Sequence, residues 1–129
     1  MSHFTTIQTQ IKDLDALEHA CGDMGYELLS DTPCRGYAGV QRTAHRVIKL
    51  EGPYDIAVDP SPQIEGGFDL TTDWWGGHVE RQVGAGFGRL LQNYGIAKTT
   101  LEARQRGLRV TSHLEESGSV LLILEGGSL

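Results

Sequence analysis

The feature that most constrains this chain is its opening, where an alternating strand runs into a capped amphipathic helix within the first two dozen residues. His3, Thr5, Ile7, Thr9 and Ile11 fall on one side of an extended segment, and its threonine-rich composition suits a half-solvated sheet. Asp13 is placed to cap a helix, and Leu14, Leu17, Cys21 and Met24 recur at three- and four-residue spacing before Gly25 supplies a left-handed stop. Asp15, Glu18, His19 and Asp23 are then expected to face water. The fold is expected to begin at residue one, as a single domain over 1–125 with a frayed tail over 126–129.

Beyond the first helix the helical period disappears. Tyr26 to Leu29, Val40 to Glu51, Tyr54 to Asp59 and Phe68 to Trp75 read as strands separated by Gly- and Pro-containing turns. No crossover segments lie between them, so an antiparallel meander is the expected connection. The segment 59–67 reads as an exposed loop stiffened by Pro60 and Pro62. A second helix is expected from about Arg81 to Arg106, with Leu90, Tyr94, Ala97 and Leu101 as its buried stripe and Gly107 ending it. Gly84, Gly86 and Gly88 each cost roughly 1 kcal/mol against alanine inside a helix, which moves its firm start to near Arg89. The chain then reads as a hairpin whose last strand, Val120 to Leu124, is apolar on both faces and is expected to be central or covered on both sides. The order of elements predicts an α+β fold: a mostly antiparallel sheet with two helices packed on one face.

Charge narrows the function classes. Asp and Glu number 17 against 11 Lys and Arg, a formal net charge of -6, and no basic cluster is present to displace counterions from a phosphate backbone. This argues against nucleic acid as a partner. The longest apolar run is far too short to span a bilayer and no signal sequence is recognisable, so the expectation is a soluble cytoplasmic protein with no membrane partner. Cys21 and Cys34 are expected to be free thiols, because a chain of this length needs no disulfide scaffold.

Met1 to Glu18, together with Arg35-Gly36-Tyr37, Val47-Ile48, Tyr54-Asp55-Ile56 and Asp73-Trp74-Trp75-Gly76, resembles the hypothetical-chloroplast-reading-frame family of small proteins. That family occurs in algal plastid genomes, cyanobacteria and other bacteria, and is filed as a domain of unknown function. The chain departs from the family pattern in the Pro-containing loop at 59–67 and the glycines at 84–88. The resemblance implies no catalytic residues; it suggests an accessory role beside other small proteins and an AAA-type ATPase.

Several clusters invite a chemical reading. In Asp73-Trp74-Trp75-Gly76-Gly77-His78, adjacent tryptophans at a strand end point to opposite faces, so that either both rings are covered by the helices and loops or one fills the core and the other faces water or a partner, with Asp73 and His78 at its rim. Arg35 and Tyr37 are further candidate contact residues. His78-Val79-Glu80 looks like the His-x-Glu element of zinc deaminases, but the Pro-Cys-x-x-Cys half is missing: Pro33-Cys34 is followed by Arg35-Gly36-Tyr37. His3, His45, His78, His113 and the two cysteines lack the short ligand spacing of a structural zinc site, so no metal or other cofactor is assigned. Gly84-Ala85-Gly86-Phe87-Gly88 matches neither phosphate-loop pattern and reads as a flexible connection or a close helix approach, with Arg81 and Arg89 as its nearest charges. Arg35 beside Cys34 is the arrangement that lowers a thiol pKa, yet no general base accompanies it.

The absence of a catalytic signature, the paired tryptophans and the family resemblance favour a non-enzymatic accessory or adaptor module that docks a protein partner through an exposed sheet edge or the Asp73-Trp74-Trp75 surface, with a second copy of the chain also a candidate. The alternative is a small enzyme or ligand carrier with an aromatic pocket lined by Tyr37, Asp73, His78 and Tyr94, between the sheet and the second helix.

Overall fold

The computed structural model describes residues 4–126. The expected strand position at His3 and the tail at 127–129 lie outside the described residues. The first strand, β1 (Phe4–Ile11), leads into α1 (Leu14–Asp23), whose cap is the expected one: the Asp13 carboxylate accepts from the N–H groups of Asp15 and Ala16. Leu17 and Cys21 are wholly buried, and Gly25 takes the left-handed conformation past the helix end at φ 85°.

The strands β2 (Glu27–Leu29), β5 (Arg46–Lys49), β6 (Ile56–Pro60) and β7 (Phe68–Asp73) join β1 in one antiparallel sheet of order β1-β7-β6-β5-β2. The expected strand from Val40 to Glu51 is divided. Its first part becomes β4 (Gln41–Arg42), which pairs with β3 (Cys34–Arg35) as a ribbon of its own, and β5 begins only at Arg46. The fold is thus α+β, as its element order predicts.

Strand alternation gives the sheet two different faces. One carries Ile11, Ile48, Ile56, Val58 and Leu70 into the main core, where α1 packs with α2 (His78–Val83) and α3 (Gly88–Gln105). The other carries Val47 and Ala57, which bury Cys34 and are flanked by Phe4 and Ala44. The β3–β4 ribbon lies over this second face. Thr6, Asp69, Thr71, Asp73, Ala57 and Asp59 share the face by register, so the ribbon covers a surface that is largely polar.

The second helix is broken rather than continuous from Arg81. His78 to Val83 form a short helix, the chain turns with Phe87 at φ 66°, and α3 starts at Gly88. A β-carbon on Gly84, at φ 84°, would stand 2.9 Å from the Arg89 amide nitrogen, so the glycine permits a close approach of the two helices. Leu90, Tyr94 and Ala97 are buried as expected, Leu101 is partly buried, and Gly107 ends the helix at φ 73°. Among the described residues no helix is long and apolar enough to cross a membrane.

The C-terminal hairpin corrects one expectation. β8 (Arg109–Leu114) and β9 (Val120–Glu125) pair only with each other, and Leu121 and Leu124 are about half exposed at 49% and 46%. The last strand is therefore neither central nor covered on both sides. The faces of the five-stranded sheet are already occupied by the helices and the β3–β4 ribbon, so the hairpin packs beside α3 instead.

Candidate functional site

Five of the seven predicted contact residues, Arg35, Tyr37, Asp73, Trp75 and His78, are brought together at one end of the sheet. The anchor is Asp73, the last residue of β7, which is 2% exposed. Its Oδ2 accepts from the Tyr37 N–H at 3.2 Å and its Oδ1 from the Trp75 N–H at 3.0 Å. One buried carboxylate thus fastens two loops, the turn after β3 and the turn after β7. Charge-assisted bonds of this kind from a carboxylate to backbone N–H groups are stronger than neutral ones.

The fastened loops present two aromatic rings outward. Tyr37 and Trp75 are 41% and 48% exposed, their ring centroids lie 5.0 Å apart, and their planes are inclined at 57°. Such tilted contacts suit the quadrupoles of the rings. Val40, at the end of the Tyr37 turn, adds an exposed apolar side chain. His78 stands 6.3 Å from Trp75 and edge-on to the buried Tyr54 ring at 5.4 Å. Arg81 reaches back to His78 Nδ1 at 3.1 Å and to the Gly76 carbonyl at 3.3 Å. Burial and the neighbouring Asp73 carboxylate push the Tyr54 phenol above its ordinary pKa.

The reversal that sets His78 beneath Trp75 depends on Gly76 and Gly77, both near φ 72°. A β-carbon on Gly76 would come within 2.9 Å of His78 Nε2. Trp74 takes no part in the outward surface: it packs on Phe87 at a centroid distance of 4.7 Å and is partly buried against the main core. Of the two arrangements open in the sequence, both rings covered or one turned outward, the structure has the second, with Trp75 outward. β7 ends at Asp73, and a turn rather than strand alternation separates the two rings.

Arg35 is committed to an internal partner. Its Nε and Nη2 donate to the two oxygens of Asp55, both at 2.9 Å, its N–H donates to Oδ2 at 3.1 Å, and Nη2 also reaches the Leu50 carbonyl. Burial pushes the Asp55 carboxyl up, but the Arg35 and Leu50 hydrogen bonds outweigh it and hold the group below its ordinary value. Arg35 thereby anchors the ribbon that carries Tyr37.

Tyr94 lies elsewhere. Its hydroxyl accepts from the N–H groups of Lys12 and Asp13, just past the end of β1 where Ile11 pairs with Phe68, whereas Asp73 pairs with Phe4 at the other end. The length of β7, about 17–20 Å at ~3.3 Å per residue, separates these ends. Tyr37, Asp73, His78 and Tyr94 therefore do not line one common pocket.

The remaining sequence candidates resolve structurally. Cys34 is wholly buried, and its thiol is pushed up to about 12, chiefly by burial and next by the Asp55 carboxylate; the nearby Arg42 and Arg35 do not offset this. Adjacency to Arg35 therefore does not activate the thiol: burial dominates, and that guanidinium is engaged by Asp55. Cys21 is buried and likewise pushed up to about 12, and both cysteines are free. Among the described residues, no three His, Cys, Asp or Glu side chains are arranged to hold a metal ion. Arg89, adjoining the glycine-rich turn, donates to the carbonyls of Arg81 and Gln82 at the end of α2.

Sequence reasoning gave Tyr54, Asp55 and Arg81 no place at the site. Tyr54 and Asp55 were signalled only by belonging to the Tyr54-Asp55-Ile56 stretch that carries the family resemblance, and Arg81 by its place three residues after His78.

No curated protein and no solved structure matches the chain. A family described as a protein of unknown function, DUF1257, matches residues 20–123, most of the chain and all the site residues described above, and the chain belongs to that family.

Proposed function

We propose that this protein is a non-enzymatic accessory or adaptor module that docks a protein partner through the Tyr37–Trp75 surface. The observation that carries the reading is an exposed aromatic pair held by a buried carboxylate with both oxygens engaged. Tryptophan, tyrosine and arginine dominate binding hot spots, and rigid anchors lose little conformational entropy on association. Val40 and Arg81 supply an apolar and a cationic neighbour at the rim. The resemblance to the chloroplast-reading-frame family adds the candidate partners: an AAA-type ATPase or another small accessory protein, met in the cytoplasm.

The reading is tested by affinity capture with the wild-type chain and Trp75→Ala as parallel baits, each checked for folding by circular dichroism. A partner retained by the wild type and lost from folded Trp75→Ala supports docking at this surface. Identical captured sets overturn it. The alternative, an enzyme or ligand carrier with an aromatic pocket, has less support, because Tyr94 stands at the opposite end of β7 from Asp73.

A further inference from the structure

We propose that two copies of this chain associate through the outer edge of β9, pairing antiparallel about Leu122 to form a four-stranded sheet of order β8-β9-β9-β8. Among the described residues β9 pairs on one side only, with β8, and it is β8 that packs beside α3. Both outer edges of the ribbon are unpaired among the described residues, and the edge of β9 is the more apolar of the two. A two-stranded ribbon is marginal by itself in water, and a third strand is the usual remedy.

The side chains along this edge are those of a strand that expects cover. Val120, Leu121, Leu122, Ile123 and Leu124 follow one another without a charge, a proline or a lysine to block edge pairing. Leu121, Ile123 and Leu124 are 49%, 37% and 46% exposed, and Leu114 on the neighbouring strand is 78% exposed. Charge is confined to the ends of the ribbon, where Arg109 pairs with Glu125 at 2.9 Å and Glu115 and Glu116 follow β8.

The argument for a second copy is self-complementarity. A two-fold axis requires the same patch to face itself, and residues directly opposite in an antiparallel pair share a face. Centred on Leu122, the pairing sets Val120 against Leu124, Leu121 against Ile123 and Leu122 against its own copy, so all five apolar residues meet apolar residues. Glu125 then falls opposite Ser119 at the margin. Centred on Ile123, the same strand would set Glu125 against Leu121. Strand pairing over about 20 Å covers less than the roughly 800 Å² per partner of a standard interface, so the association is expected to be reversible and concentration-dependent in the micromolar range.

The test is analytical ultracentrifugation of the full chain across a micromolar concentration series, with two double variants whose side chains lie on the exposed face of the hairpin. L121K/I123K places lysine opposite lysine at both positions of the proposed register, whereas L121E/I123K places glutamate opposite lysine. The expected result is a concentration-dependent dimer for the wild type, a monomer for L121K/I123K and a restored dimer for L121E/I123K, all with the same thermal unfolding midpoint within a few degrees. A wild type that stays monomeric across the series overturns the proposal. So does equal behaviour of the two double variants, which would mark the edge as a site for another protein's strand or for non-specific association.

Discussion

Arg35 closes both oxygens of the wholly buried Asp55 carboxylate at 2.9 Å, and this pair, with Arg42 on Asp59 at 3.0 Å, fastens the β3–β4 ribbon to the sheet beneath it. The Asp55 carboxylate also accepts from the N–H groups of Arg35 and Leu50, so the two neighbouring loops are tied to the same group. Tyr37, which follows Arg35 by two residues, inherits its position from that attachment. The ion pair acts on the Tyr37 surface through the geometry of the ribbon.

Replacing Asp55 by asparagine is expected to destabilise the fold by about 3 kcal/mol, the low end for breaking a buried pair, because the Arg35 side chain keeps some contact with solvent. Arg35→Lys should cost less but still be felt, since an ammonium cannot reproduce the bidentate contact. Urea unfolding of the three proteins, compared at equal slope, measures both.

Stability should fall in acid. The Asp55 carboxyl is held below its ordinary value, as is that of Asp13, through the Ala16 N–H and then Lys98. A depressed carboxyl contributes stability that is fully present above its unfolded pKa, about 4, and is lost as pH falls through the lower folded value. Thermal midpoints should be level with respect to these two groups above about pH 5 and decline below about pH 4. In Asp55→Asn the decline should be shallower, and an unchanged slope would remove Asp55 from the account.

The two tryptophans should separate cleanly. Trp74→Ala removes a ring packed on Phe87 and is expected to cost about 2–3 kcal/mol, less than a fully buried aromatic because Trp74 is only partly covered. Trp75→Ala should stay within about 1 kcal/mol of wild type. Comparable losses from both changes in denaturant unfolding would mean that Trp75 belongs to the core.

Neither thiol should react in the native protein. Cys21 and Cys34 are wholly buried, and both are held as thiols with pKa values pushed up to about 12. A thiol reagent at pH 8 should label both cysteines only after denaturant is added. Fast labelling of the folded protein at one site would overturn its assignment as inert.

The parts legible in the sequence are those decided by local chemistry. Asp13 caps α1 because a carboxylate at that position can take two free N–H groups, and Leu17, Cys21, Leu90 and Tyr94 are buried because helical spacing puts them on one stripe. The α+β class follows from the order of such elements. The site is legible in its residue types, since Arg35, Tyr37, Asp73, Trp75 and His78 do converge, but not in their roles.

Those roles, and the fate of the hairpin, were decided by contacts between distant parts of the chain. Arg35 lies beside Cys34 in sequence, but Asp55, twenty residues on, takes its charge, and burial then leaves the thiol inert. Tyr94 has the composition of a site residue and serves instead to join α3 to the start of α1. A short continuous apolar run after a turn says that Val120 to Leu124 forms a strand and that its side chains need cover. It cannot say what covers them, because a strand's partner is chosen by which edges and faces the rest of the fold leaves free.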